Sequence, residues 1–134
     1  MIDKLYKLKK TQTDQKLVQR SLVDSRIEQI DAEILLTRNS IISASVDRSG
    51  AISDFVILTM HKDTMRFHIK KLENEKIKLK KEYEDLSREI VELQKEAEQF
   101  KYILEEQKLE AKALALKLEQ ETTEEFIQSK YIRR

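Results

Sequence analysis

The sequence predicts an all-α chain in which two long helices form an antiparallel coiled-coil hairpin, the second helix longer than the first. Three observations predict it. Alternating steps of three and four residues from Phe55 reach Leu58, Lys62, Met65, Ile69, Leu72, Lys76, Leu79, Tyr83, Leu86, Ile90, Leu93, Ala97, Phe100, Leu104, Gln107, Ala111, Leu114 and Leu118. Only Lys62, Lys76 and Gln107 interrupt this apolar series. A repeat of about 3.5 residues held this long keeps one seam turned toward a partner, whereas a free helix of about 3.6 residues per turn drifts away. The composition agrees: the 134 residues include one glycine, no proline and 38% charged side chains, as in long helices rather than looped globular domains. Finally, the one cluster of turn-forming residues, between Ser43 and Asp54 and holding Gly50, separates two periodic segments.

The first helix is predicted over residues 2–46. Its distal half carries Val23, Ile27, Ile30, Ile34, Thr37 and Ile41 at strict heptad spacing. Its proximal half continues that phase through Arg20, Lys16, Thr13, Lys9, Tyr6 and Ile2, while Leu5, Leu8 and Leu22 fall on a neighbouring stripe. This half is expected to pack weakly, splaying or meeting another partner. A turn follows over 47–53, with Ser53 or Asp54 as N-cap, and the second helix is predicted over 54–131. The whole chain, 1–134, reads as one domain.

A short turn makes the helices antiparallel neighbours. Setting residue i against residue 99 − i places Ile41 against Leu58, Ile34 against Met65, Ile30 against Ile69 and Ile27 against Leu72, and matches polar Thr37 to Lys62. The centre of that register lies between Ser49 and Gly50. Charge supports it in blocks. Residues 24–33 (net −3) face 66–75 (net +1), and residues 1–20 (net +4) face 79–98 (net −3). Such pairs contribute little individually but bias partner and direction.

In this register Ile2 lies opposite Ala97, so residues from about 98 to 134 overhang without a partner in the chain. The overhang, helical to Tyr131, is on the order of 50 Å long. Its seam stays apolar through Phe100, Leu104, Ala111, Leu114 and Leu118, and Phe126, Ile127, Tyr131 and Ile132 follow. Each large apolar side chain left in water forgoes roughly 1.5 to 3 kcal/mol of burial, so such a row marks an interaction surface. Its plainer explanation is a homodimer seam.

The same pass excludes several classes. Without cysteine there is no disulfide framework, thiolate metal site or thiol nucleophile. No apolar run approaches the roughly 18 residues of a spanning helix, and a net charge of +1 gives no general attraction to nucleic acid or anionic lipid. A soluble intracellular protein is expected, with no nucleic-acid partner and no direct membrane insertion. His61 and His68 stand about 10 Å apart along a helix, too far to share one metal ion. Glu105, Glu106, Glu124 and Glu125 read as a solvated face, and no phosphate loop or nucleophile constellation can be assembled. The basic stretch from Arg66 to Lys81 carries seam residues itself, unlike a zipper's DNA-reading arm. The basic amphipathic N-terminus, which could touch an anionic membrane, is expected instead to face glutamates. Lys62, Lys76 and Gln107 are read as register-setting or snorkelling residues. No enzymatic activity, metal or cofactor is predicted.

The layout, with a lysine- and leucine-rich opening from Lys4 to Lys10 (KLYKLKK), a Ser/Gly tip, a longer heptad helix and the acidic tail Leu118–Gln128 (LEQETTEEFIQ), resembles the FliJ-like family of flagellar export stalk proteins and their virulence type III secretion relatives. The resemblance spans nearly the whole chain. It implies a non-enzymatic stalk like the central shaft of a rotary ATPase, cytoplasmic and peripheral to the inner-membrane export apparatus. The end bearing both termini would insert into the hexameric export ATPase ring, and other surfaces would contact the export gate membrane protein and substrate chaperones. Joined to the overhang, this makes Phe100, Leu104, Leu114, Leu118, Phe126, Ile127 and Tyr131 the ring-facing residues. The family's gate contacts fall in the region Ile52 to Phe67, here Phe55, Leu58, Met60 and Phe67. The other reading is a general cytoplasmic coiled-coil adaptor or chaperone that dimerises through the overhang.

Overall fold

Neither periodic segment contains a helix breaker, and each becomes one helix: α1 (Ile2–Ser43) and α2 (Ile52–Ile132). The structure is a computed structural model that describes residues 1–44 and 52–132. Of the turn predicted over 47–53, residues 47–51, with Gly50, lie outside the described residues, as do the last two residues expected of the first helix, while Ile52 and Ser53 already belong to α2. Ser53 and Asp54, expected as N-caps, lie inside the first turn of α2. Within the helices Thr13, Thr37 and Ser40 donate their hydroxyls to the carbonyls of Lys9, Glu33 and Leu36, at 2.7, 2.8 and 3.0 Å. The hydroxyls are thereby satisfied locally at a small cost in helix propensity.

The two helices pack against each other as an all-α hairpin with the second helix longer. By contacts the chain divides into two units, Asp14–Val91, and Met1–Thr13 together with Glu92–Arg134. In the first unit Ile30, Ile34, Ile69 and Leu72 form the core, with Ile41 and Leu79 packed on it, and Ile30 is fully buried. Val23, Leu86 and Ile90 are buried as well. Full burial of such a side chain stabilises by about 1.5 to 3 kcal/mol. In the second unit Thr13 is buried, and Ile2, Tyr6, Leu93, Ala97, Phe100 and Leu104 are half-buried.

The helices run antiparallel, since partners on α2 rise in number as those on α1 fall, but the register differs from 99 − i. Arg26 and Glu33 meet Glu75 and His68, two residues beyond the expected 73 and 66, at 3.1 and 2.9 Å. On the opposite flank Arg38 meets Glu73 at 2.8 Å, twelve beyond the expected 61. The midpoint of two and twelve is an advance of seven, one heptad. Lys16–Glu89 (2.9 Å) and, in the other unit, Lys9–Glu96 (2.5 Å) each lie six beyond expectation, and Asp31 pairs with Lys76, eight beyond.

The physical reason lies in the repeat. A heptad seam coincides with itself after seven residues, so the apolar series cannot distinguish the two registers. The flanks can. In the observed register a side chain just before a seam residue (Arg26, Glu33) reaches five positions short of the residue directly opposite. One just after a seam residue (Arg38) reaches five positions past it. With that offset, the register 99 − i would set Arg38 against Arg66. The advance by one heptad replaces this repulsion with Arg38–Glu73, while Asp31, also just after a seam residue, turns to the seam lysine Lys76, one position past its opposite.

The polar seam of the proximal half is accommodated in the same way. Lys9, Lys16 and Lys76 keep their stems at the interface and send their ammonium groups out to Glu96, Glu89 and Asp31. Arg20 lies 5.5 Å from the ring centre of Tyr83 and donates to Ser87 at 3.2 Å. Leu5, Leu8 and Leu22, on the neighbouring stripe, are exposed. The proximal half therefore meets α2 and does not splay, held largely by charged side chains.

Candidate interaction surface

The advance by one heptad also moves the start of the uncovered helix. Phe100 and Leu104, expected in an overhang beginning near 98, are half-buried, and Leu104 is the last residue of α2 that is not exposed. Every described residue from Glu105 to Ile132 is exposed. At about 1.5 Å per residue these 28 residues form a helix roughly 42 Å long.

Local sequence explains why this segment is helical with no neighbour in the chain. From Glu105 to Gln120 it consists of Ala, Leu, Lys, Glu and Gln, all favourable helix formers. The next turn is weaker, and there Thr122 and Thr123 bond back to the carbonyls of Leu118 and Glu119 at 2.8 and 2.9 Å. Tyr102 sits one turn before this segment, and its hydrogen bond to the Glu106 carboxylate raises its phenol pKa above the ordinary 10.0.

The segment is apolar on two opposite sides. On one side the heptad seam continues through Ala111, Leu114 and Leu118 and then fades into Glu121 and Glu125. On the other, Leu109, Ala113, Leu116, Gln120, Thr123 and Ile127 recur at alternating steps of four and three, bounded by Glu106 and Lys130. Leu109, Leu116 and Ile127 are 67%, 53% and 59% exposed, comparable with Leu114 and Leu118 on the seam side. Of the residues expected to face a ring, Leu114, Leu118, Phe126, Ile127 and Tyr131 are exposed; Phe126 lies between the stripes and Tyr131 borders the second. This second stripe belongs to no seam of the hairpin and is legible only when residues 105–132 are read apart from it.

Of the expected gate contacts, Phe55, Met60 and Phe67 are exposed and Leu58 is half-buried. Phe67 is flanked by the Lys71 ammonium, 5.3 Å from its ring centre. Exposed Ile52, Val56 and Ile57 extend this apolar stretch on α2, and Leu35, Leu36 and Ile42 are exposed near the end of α1.

Among the described residues no group of three or more His, Cys, Asp or Glu could hold a metal ion. His68 is engaged with Glu33 at 2.9 Å. Among the described residues no helix is long and apolar enough to cross a membrane. No protein-family model, curated protein or solved structure matches the chain.

Proposed function

We propose that this chain is a stalk and coupling component of a flagellar or type III export apparatus. Its exposed helical end enters the hexameric export ATPase ring, and its other surfaces contact the export gate and substrate chaperones. The observation that carries this reading is the length of α2 beyond its partner. A continuous helix from Glu105 to Ile132, exposed throughout and apolar on two sides, has the form of a shaft to be surrounded rather than a tail packed on its own hairpin. An isolated helix of this kind is marginal in water, so a surrounding partner would supply its missing stabilisation. Leu114, Leu118, Phe126, Ile127 and Tyr131 are the contacts offered to the ring. Phe55, Met60 and Phe67 are those offered to the gate.

The test is ATP hydrolysis by the export ATPase of the same organism, measured with substoichiometric amounts of the purified chain. Stimulation is expected, and loss of stimulation with Leu114→Asp/Leu118→Asp. An unchanged rate with the full chain sinks the reading. The second reading, an adaptor that dimerises through this end, is favoured by the second apolar stripe, which a single seam partner would leave in water.

A further inference from the structure

We propose that the second stripe is the interface for a second copy of this chain, paired antiparallel over residues 106–130. This inference does not depend on the export reading. It rests on a match of the stripe with itself. Reversed and centred on Leu118, the stripe sets Leu109 opposite Ile127, Ala113 opposite Thr123 and Leu116 opposite Gln120 of the second copy, and each layer recurs by symmetry. Glu106 and Lys130 lie opposite each other at the two ends and close the apolar run.

The flanks decide the register, as they do in the hairpin. There, Arg26, just before a seam residue, reaches five positions short of its opposite, and Arg38, just after one, reaches five past; Asp31, also just after one, turns instead to the seam lysine Lys76, and the present stripe has no charged seam residue between Glu106 and Lys130. Lys112 stands just before Ala113 and Lys117 just after Leu116. The same offsets bring Lys112 to Glu119 and Lys117 to Glu124 of the second copy, and symmetry doubles both pairs. The outer flanks then place Glu110 by Tyr131 and Glu105 by Phe126, with no like charges together.

The neighbouring arrangements fail the same count. A slip of one heptad in one direction sets Lys112 and Lys117 each against its own copy. The opposite slip does this to Glu119 and Glu124. A parallel, in-register pair faces Lys112 with Lys117 and Glu119 with Glu124. Among these four arrangements only the antiparallel one centred on Leu118 survives, and charge selects it more sharply than the apolar residues do. The dimer covers Ile127 and borders Phe126 and Tyr131 but leaves Leu114 and Leu118 on the far side of the helix, so it overlaps only part of the proposed ring-facing set.

The experiment is sedimentation equilibrium of the full chain, with helicity checked by circular dichroism. A reversible monomer–dimer equilibrium is expected. Lys112→Glu/Lys117→Glu should raise the dissociation constant about tenfold or more, since it makes all four flank pairs repulsive. Adding Glu119→Lys/Glu124→Lys to the same chain restores opposite charges at every pair and should restore association. This swapped variant separates lost pairing from a damaged helix. Orientation is read with Ala113→Cys and Thr123→Cys in a chain that has no cysteine of its own. The two variants should cross-link to each other and not to themselves. A wild-type chain that stays monomeric at every workable concentration overturns the proposal. So does a dimer indifferent to the reversal, no recovery in a helical swapped variant, or a disulfide joining position 113 to itself.

Discussion

At the scale of single residues, buried apolar side chains supply most of the interface's stabilisation, and the polar seam positions are tolerated through the way their side chains leave it. Lys9, Lys16, Arg20 and Lys76 occupy seam positions, and each finds a carboxylate, hydroxyl or aromatic ring at the edge of α2 or α1. Gln12 is the exception. Its side-chain oxygen is buried and has no hydrogen-bond partner among the described residues. A buried acceptor left without a donor costs about 1 to 3 kcal/mol, whereas an apolar side chain of similar length has no such group to desolvate. Gln12→Met is therefore expected to stabilise the chain by about 1 kcal/mol. Chemical denaturation at fixed protein concentration would register this as a higher midpoint with an unchanged slope. A lower midpoint would mean that the oxygen is hydrated or bonded in solution.

At the scale of the two helices, the decisive quantity is the register, and it can be tested directly. Ile34 and Leu72 share the core in the observed register, whereas the register 99 − i pairs Ile34 with Met65. Ile34→Cys/Leu72→Cys should form an intramolecular disulfide readily, and Ile34→Cys/Met65→Cys slowly or not at all. The reverse order of rates would restore the earlier register. The helices themselves were legible because their signals are local: unbroken periodicity, strong helix formers and one turn cluster. The two long segments fall nearly where periodicity puts them. The register was not legible from the apolar series, because a slip of seven leaves the seam facing a seam. Net charge over blocks of ten or twenty residues was too coarse as well, since it averages the flank that touches with the face that does not. The information was nonetheless in the sequence, at Arg38, Arg66 and Glu73, once each flank residue is paired singly. The same coarse counting hid the stripe from Leu109 to Ile127, which belongs to no seam of the hairpin and shows only when the exposed helix is read on its own.

At the scale of the whole molecule, the described residues beyond Leu104 are all exposed, so they should contribute little to the stability of the hairpin as a monomer. A chain ended after Leu104 is expected to retain the hairpin and to unfold, in dilute solution, at nearly the same temperature as the full chain. The two should diverge as concentration rises. Anything that binds the folded state stabilises it by mass action, and a second copy is such a ligand. The full chain's midpoint should therefore climb with concentration while the shortened chain's stays fixed, and calorimetry across a concentration series separates them. Parallel rises in both would place self-association in the hairpin. A shortened chain that melts several degrees lower even when dilute would show that the exposed helix packs on the hairpin it extends. The expected pattern assigns distinct roles along α2: up to Leu104 it completes a fold, and beyond that point its apolar stripes are held for other chains.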